Sequence, residues 1–540
     1  MIGRGHARNV AEPEGDSMQH RVLHRLCGAI TMCIALAVAT GCAPIEVDST
    51  EQDSAQAADP ADADPNATIR YADATGPSRF DPHRSTVGQD IRFLAPVYDR
   101  LVHIRPDGEL TGGLARDWEW DDSGTVLTMW LREGVRFHDG TAFNAEAVRA
   151  NIHRGQTLTG SSVSADLEVI DRVDVVDDAT VRLHLSKRSS MLPGLLSHRA
   201  GAIVSPAAFD KPNLDSAPVG AGMYRVTQYH KDDVIVYERN EDYWDESVVG
   251  ARQIELDILS DDVTRLNAIR TGEVDIALIG GRQIAEAEQA GLVIQQDRSL
   301  TYLVLYLNRA RAEFDKLLVR RALNHAIDRE AIANGITFGA SEPSVQPFPE
   351  GYFAHNPDYP GDYYEYNPRL ARQLLRQAGV PNGFSFEMLV AALPPYTQVG
   401  EAVQNMLGEV GIDARIRAVE AAQTADVYYA QEQGDALLAQ WGGRPDPSMT
   451  IELQFTANGF SNPGGHTTPE MTELHTTALN TIDEDARTEV LRRNVGEIVE
   501  QAFQVPVASD QTTYATTTDV VGFQSLITGQ PDFRTLGKSG

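Results

Sequence analysis

The segment WGGRPDP (441–447) places one aromatic side chain and two opposite charges close together. The planar guanidinium of Arg444 could hold a carboxylate, a phosphate or a pair of sugar hydroxyls. It could equally be a solvated or internally paired charge, bonded to Asp446 itself. Asp446 is open to two interpretations, because an Asp before Pro also organises a loop by accepting backbone N–H bonds. The segment therefore predicts either a turn or part of a ligand site formed by Trp441, Gly442, Gly443, Arg444 and Asp446.

The sequence lacks the recognised motifs for catalysis that we looked for in it. The H-E-x-x-H, G-x-S-x-G and G-x-x-x-x-G-K-[ST] patterns do not occur. Gly220-Ala-Gly222 lacks the third glycine of a dinucleotide-binding loop, so we expect a backbone turn there. The acidic pairs Asp121-Asp122 and Asp261-Asp262 stand at turns or helix starts, where Asp caps backbone. We therefore predict no catalytic residues and no cofactor.

The histidines do not form a metal-binding pattern either. The sequence has 14 histidines. Eight of them are spread through the body, and no two of these eight lie at the close spacing of a ligand pair, so no metal site is predicted. His466 could contact a ligand, and His138, in the FHDG turn, is expected to be structural. The eight are His138, His184, His198, His230, His325, His355, His466 and His475.

The composition excludes several classes of partner and chemistry. The 540 residues carry a net charge of −31, which argues against binding nucleic acid. The three cysteines, Cys27, Cys33 and Cys42, all lie near the N-terminus. The folded body therefore has no disulfide, no Cys-based zinc site and no Cys nucleophile.

The N-terminal region predicts export. Basic residues precede a largely apolar stretch (26–40) that is short for a membrane span but typical of a signal peptide. The stretch ends in Ala-Thr-Gly-Cys42, which resembles a bacterial lipobox. We expect a signal peptide over 1–41, with Met18 as an alternative start, and a lipidated Cys42. Residues 42–67 are acidic and poor in large apolar side chains, which predicts a flexible tether. Ordinary secretion is the alternative.

The body from Thr68 onward has a mixed α/β pattern. TIRYADA (68–74) is typical of a strand, and QDIRFLAPVYDRLV (89–102) has the apolar spacing of a helix. Two β-like runs, 302–308 and 503–509, bracket a segment large enough for its own core. Such a segment, entered and left through paired strands, predicts two lobes joined by a hinge. Another short strand, 435–440, ends directly before Trp441.

Seven segments of the body resemble the family 5 extracellular solute-binding proteins, the peptide, nickel and opine receptors of ABC importers. They occur in the family's order and span about 68–535. The segments are GLARDWEWDDSGTVLTMWLREGVRFHDGTAFNAEAVRANI (113–152), APVGAGMYRVTQYHKDDVIVYERNEDYWD (217–245), LDILSDDVTRLNAIRTGEVDIA (256–277), FDKLLVRRALNHAIDREAI (314–332), ARQLLRQAGV (371–380), WGGRPDP (441–447) and QVPVASDQTTYATTTDVVGF (504–523).

The resemblance implies an α/β, two-lobed, periplasmic-binding-protein-like fold of type II with an extra subdomain. Lobe one would comprise 68–301 and 506–540, with the inserted subdomain at about 98–214. Lobe two would comprise 302–505, and crossover strands would form the hinge. Ligand would lie in the cleft between the lobes.

The resemblance also bears on the ligand. In several peptide-binding relatives an aspartate shortly after this tryptophan pairs with the ligand's ammonium, and here Arg444 stands nearest that place. The ligand could then be a peptide held differently, an opine-like compound, a phosphorylated sugar or another anionic metabolite. Further contacts are expected from Tyr71, Asn308, Tyr396 and Asn462.

The function implied is that of an extracytoplasmic, non-enzymatic receptor of an ABC importer. It would capture a peptide or another small polar solute and deliver it to a membrane permease with separate ATPase subunits. We expect a monomer, anchored by lipid to the outer face of the cytoplasmic membrane or free in the periplasm. The alternatives are a sensor or exported folding helper with the same fold, and an exported hydrolase.

Overall fold

The computed structural model describes residues 63–248 and 250–540. The predicted signal peptide, Met18, Cys42 and most of the predicted tether (42–67) lie outside these residues. Within them, no helix combines the length and the apolar character needed to cross a membrane.

Nineteen strands are formed, and most of them are short. They are β1 (Thr68–Asp73), β2 (Val102–Ile104), β3 (Leu110–Gly112), β4 (Ala115–Trp120), β5 (Val126–Leu131), β6 (Ile170–Asp177), β7 (Thr180–Leu185), β8 (Tyr224–His230), β9 (Val234–Arg239), β10 (Gln253–Ile258), β11 (Ile276–Leu278), β12 (Val293–Leu307), β13 (Ser341–Pro343), β14 (Ser385–Ala391), β15 (Asp413–Val419), β16 (Ala436–Trp441), β17 (Val505–Thr516), β18 (Val520–Val521) and β19 (Gly537–Lys538) in the described part of the chain.

The described residues also form thirteen α-helices. They are α1 (Ile91–Leu94), α2 (Ala145–Thr157), α3 (Ser164–Leu167), α4 (Leu192–Leu195), α5 (Asp262–Arg270), α6 (Ile284–Gln289), α7 (Leu317–Ala326), α8 (Arg329–Gly335), α9 (Pro368–Gln377), α10 (Pro394–Glu409), α11 (Pro447–Phe455), α12 (Pro469–Asn480) and α13 (Glu484–Glu500).

One eleven-stranded sheet runs through the body. Its order is β15-β14-β16-β12-β17-β11-β1-β10-β9-β8, with β13 paired to β17. The long antiparallel pair β12 and β17 lies at its centre, and both strands extend well beyond the short runs that the sequence indicated. The register of this pair shifts between Arg298 and Tyr302. The two strands therefore connect the strands of the predicted lobe one, on the β11 side, to those of the predicted lobe two, on the β16 side.

The inserted subdomain carries a second sheet. Strands β4, β5, β7 and β6 form a four-stranded antiparallel sheet. Alternate residues of β5 are buried, and they pack with α2 in a core of their own. Helix α2 begins directly after Asn144, because the side chain of Asn144 accepts a hydrogen bond from the Ala147 N–H. The subdomain thus has an independent core, while the domain boundaries remain a prediction.

The predicted helix at 89–102 is wrong in extent. Helix α1 covers only Ile91–Leu94, and β2 begins at Val102. The carbonyl oxygens of Pro96 and Val97 accept hydrogen bonds from the N–H groups of Tyr224 and Gly222, so they are not available to continue a helix. A Cβ on Gly222 would collide with these carbonyls, which explains the glycine.

Candidate ligand-binding cleft

A cavity of about 830 Å³ is lined by residues from both predicted lobes. This volume is within the range of about 300–1,000 Å³ typical of small-molecule sites. Lobe one, the hinge strands and lobe two all contribute to its wall. Its wall includes Arg92, Asp166, His198, Arg199, Tyr396, Gln440, Gly442, Gly443, Arg444 and Asp510.

The loop after β16 brings the WGGRPDP segment to this wall. Trp441 is the last residue of β16 and pairs with Tyr302 of β12. Gly443 follows with a φ of +67°, and a Cβ built on it would lie 2.7 Å from Cβ of Leu300. Only glycine suits such a combination of positive φ and close approach. The loop is therefore pressed against β12, and it directs the next residue into the cleft.

Arg444 is held over Trp441. Its guanidinium carbon lies 4.7 Å from the centre of the indole ring, a favourable cation–π arrangement. One terminal nitrogen, Nη1, donates to the Gly443 carbonyl at 2.7 Å. Burial lowers the pKa of Arg444, whereas Asp166 and Tyr306 raise it. None of the described carboxylates forms an ion pair with it, so donors remain for a ligand.

Asp446 serves the fold instead. It is 2% exposed and caps α11 by accepting the Ser448 N–H at 2.8 Å. Its two oxygens accept from Nη2 of Arg487 at 2.6 and 2.8 Å. The ion pair between Arg444 and Asp446 that the sequence allowed is not formed. Asp446 is not among the cavity-lining residues.

The remaining predicted residues divide into two groups. Tyr396 lines the cavity, and its hydroxyl donates to Oε1 of Gln440 at 3.3 Å. Trp441 is 6% exposed, and its indole ring packs against the guanidinium of Arg444. Tyr71, Asn308 and Asn462 are at most 4% exposed and do not line the cavity.

Each of these three residues uses at least one polar side-chain atom within the protein. Tyr71 donates its hydroxyl to Oδ2 of Asp73 at 2.5 Å. Oδ1 of Asn308 accepts the N–H of Ala310, and Oδ1 of Asn462 accepts from Arg309 at 2.8 Å. Their placement favours a structural role, and we propose no ligand contact for them.

Sequence reasoning missed several charged residues of the cavity wall. Asp166 of α3, His198 and Arg199 come from the subdomain, and Asp510 comes from β17. Asp166, His198 and Arg199 lie outside the seven family-like segments, whereas Asp510 lies within the last one (504–523). Only the fold brings the four residues to one cavity. The charge of Arg92, also in the wall, is balanced by Asp73 at 3.0 Å. Asp510 accepts from Nε2 of Gln440 at 2.5 Å, and burial raises its pKa to about 6.

The described residues contain no group of three or more His, Cys, Asp or Glu side chains placed to hold a metal ion. His466 does not line the cavity. Its carbonyl oxygen accepts from Nη2 of Arg309 at 2.6 Å, which ties it to the protein interior.

Comparisons with known proteins agree with this architecture. The sequence profile of the bacterial extracellular solute-binding proteins, family 5 Middle, matches residues 109–462. The glutathione-binding protein GsiB of Salmonella typhi is 31% identical over 352 residues, which cover 64% of this chain and 68% of that protein.

Two solved structures are similar over almost the whole body. HbpA2 from Haemophilus parasuis has a TM-score of 0.78 at 25% identity, covering 87% of this chain and 100% of that one. The dipeptide-binding protein from Pseudoalteromonas sp. SM9913 in complex with Met-Leu has a TM-score of 0.72 at 26% identity, with coverages of 87% and 100%. The predicted α/β periplasmic-binding-protein-like fold is confirmed. The profile spans more than half of the chain, and the chain therefore belongs to the family 5 bacterial extracellular solute-binding proteins.

Proposed function

We propose that this receptor captures a small peptide, or a related polar solute with an anionic group, in the cavity at Arg444. Relatives are named or described as binding glutathione and the dipeptide Met-Leu. A cavity of about 830 Å³ is large enough for solutes of this size.

The observation that carries this proposal is the state of Arg444. The guanidinium is held over an indole ring, lines the cavity and has no carboxylate partner among the described residues. In a protein with a net charge of −31, carboxylates to neutralise an arginine are abundant. A cation kept without a partner in a cavity wall is suited to a ligand's carboxylate or phosphate.

The mechanism is capture and presentation. A solute between the lobes can contact the subdomain, the hinge strands and the loop after β16 at the same time. Contacts to both lobes exist only when the lobes are close, so ligand favours the closed form. The closed form would then be recognised by the permease of an ABC importer, whose ATPase subunits supply the energy.

We further propose that the protein acts as a lipid-anchored monomer outside the cytoplasmic membrane, and that it binds its solute without chemical change. The lipobox-like sequence before Cys42 supports the anchor. The relatives, which are solute-binding proteins, support binding without catalysis.

The test begins with native mass spectrometry of the purified protein, to identify a co-purified solute. Titration calorimetry then compares wild type with Arg444→Ala. Loss of one charge-assisted contact of about 1.5–3 kcal/mol should weaken affinity about 10- to 100-fold. Arg415→Ala removes an arginine of lobe two whose side chain is 67% exposed, and it should bind like wild type. Unchanged affinity of Arg444→Ala would refute the proposed contact.

A further inference from the structure

We propose that Asp166, His198, Arg199 and Arg444 form a subsite for an α-amino-acid head group, a single carbon that carries both an ammonium and a carboxylate. We call these four residues the head-group corner. This inference rests on the proposed function and defines the class of solute that the cavity takes.

The corner is assembled across the two lobes. All four residues line the same cavity. Asp166, His198 and Arg199 belong to the subdomain, whereas Arg444 belongs to lobe two. The two sides meet in direct contact, because a Cβ built on Gly194 of α4 would lie 2.9 Å from Cβ of Asp446, two residues after Arg444.

A second contact fixes the same junction. The backbone N–H of Ser190 donates to the Leu479 carbonyl at 3.0 Å. Its hydroxyl donates to the Ala478 carbonyl at 2.8 Å. The segment that leads into α4 is thus tied to lobe two, the part of the chain that carries Arg444.

The polar groups of the corner lack full partners among the described residues. The carboxylate of Asp166 accepts no hydrogen bond and joins no ion pair, and the His198 ring makes no hydrogen bond. Arg199 donates Nη1 to the Ser85 carbonyl and hydroxyl, and its Nε is buried without a partner. Arg444 donates only to the Gly443 carbonyl. Charged groups at a cavity wall with this much unused bonding capacity point to a ligand.

The charges of the corner suit a zwitterion better than a simple anion. Two guanidiniums offer paired N–H donors to a carboxylate, while Asp166 offers an acceptor for an ammonium. Burial raises the pKa of Asp166, and Arg199 and Arg444 oppose this effect. Burial and the neighbouring arginines hold the pKa of His198 well below its usual value. The imidazole is therefore neutral, and the corner has two guanidiniums against one carboxylate.

A lone phosphate or carboxylate would satisfy the arginines but would be repelled by Asp166. A simple amine would satisfy Asp166 but would be repelled by both arginines. An ammonium and a carboxylate on one carbon satisfy all three charges together. An additional carboxylate elsewhere in the solute would match the remaining positive charge.

Two isomeric tripeptides test this inference directly. In glutathione the glutamate is linked through its side-chain carboxyl, so one carbon carries both the free ammonium and a free carboxylate. The α-linked isomer Glu-Cys-Gly has the same atoms and net charge but lacks this arrangement. Titration calorimetry in reducing buffer should show that wild type prefers glutathione about tenfold or more.

Asp166→Asn should reduce this preference to less than about threefold, because the amide cannot neutralise an ammonium. Asp122→Asn changes an exposed carboxylate of the subdomain and should keep the full preference. Thermal melting of both variants confirms that they are folded.

Equal affinity for the two isomers, binding of neither isomer, or an unchanged preference in Asp166→Asn would each overturn the head-group corner. In these cases the proposed function still stands if another small solute co-purifies and its binding depends on Arg444. If no solute binds in the cavity at all, the proposed function fails as well.

Discussion

At the scale of single residues, Arg444 and Asp446 show how the fold uses two neighbouring charges in opposite ways. Asp446 is buried against Arg487 and caps a helix. Arg444 lies in the cavity wall, supported by an aromatic ring and without a carboxylate partner among the described residues. The difference comes from Arg487, which stands far away in the sequence. Spacing within WGGRPDP therefore could not distinguish the structural charge from the one that faces the cavity.

Asp446→Ala tests the structural role. It should cost about 3–5 kcal/mol, because it leaves the Arg487 charge buried without its partner. Asp483→Ala is the matched control, since Asp483 caps α13 by accepting from Ala486 but has no ion pair among the described residues. It should cost about 1 kcal/mol. Urea unfolding of both variants measures the difference. Similar losses would show that the ion pair with Arg487 contributes little.

The raised pKa of Asp510 predicts that the stability of the protein depends on pH. Its folded pKa of about 6 lies above the value of about 3.9 expected in the unfolded chain. The folded state therefore holds a proton that the unfolded state has released between these values, and stability falls as pH rises through this window. Asp510→Asn removes the titrating group.

The stability difference between Asp510→Asn and wild type should accordingly grow with pH. It should change by about 1–3 kcal/mol in favour of the variant between pH 4 and pH 8. Thermal or urea unfolding across this range measures it. Asp122→Asn, at an exposed site, should follow the wild-type curve. A difference for Asp510→Asn that is constant with pH would contradict the raised pKa.

At the scale of elements, the loop after β16 depends on one glycine. Gly443→Ala places a Cβ at positive φ and against Leu300, which should cost about 1–3 kcal/mol. The strain should also displace Arg444 and weaken solute binding. Gly442→Ala meets nothing within 4 Å and should change stability by less than about 0.5 kcal/mol. Thermal melting of the pair tests this, and equal melting temperatures would show that the loop is not pressed against β12.

Local patterns predicted some elements well and others poorly. Strand β1 and the strand leading to Trp441 depend on nearby residues, and they lie close to where the sequence indicated. Helix α1 is shorter than predicted because the backbone of Gly222 and Tyr224, distant in sequence, takes the carbonyl groups of Pro96 and Val97. Tertiary hydrogen bonds of this kind leave no periodic signal in the sequence.

The candidate site was less predictable than the fold for the same reason. Arg444 and Tyr396 were identified through the family resemblance, and both line the cavity. Asp166 and Arg199 were missed, because the sequence around them does not indicate that the fold brings the subdomain beside lobe two. Tyr71 lies in β1 and was expected to contact the ligand, but its hydroxyl donates a hydrogen bond to Asp73.

At the scale of the whole molecule, the central sheet links recognition to movement. Strands β12 and β17 cross between the lobes, and β17 also carries Asp510 into the cavity. A solute held by Arg199 on one side and Arg444 on the other would join the subdomain to lobe two. Binding energy from such contacts is available only in the closed form, which is how a receptor can signal occupancy to a permease.

A crystal structure of the protein with its co-purified solute would show whether the solute lies between the lobes and is held by Arg444. We expect an anionic group of the solute within hydrogen-bonding distance of the Arg444 guanidinium, with further contacts to the subdomain. A solute bound outside the cavity, or bound inside it without any contact to Arg444, would contradict the account.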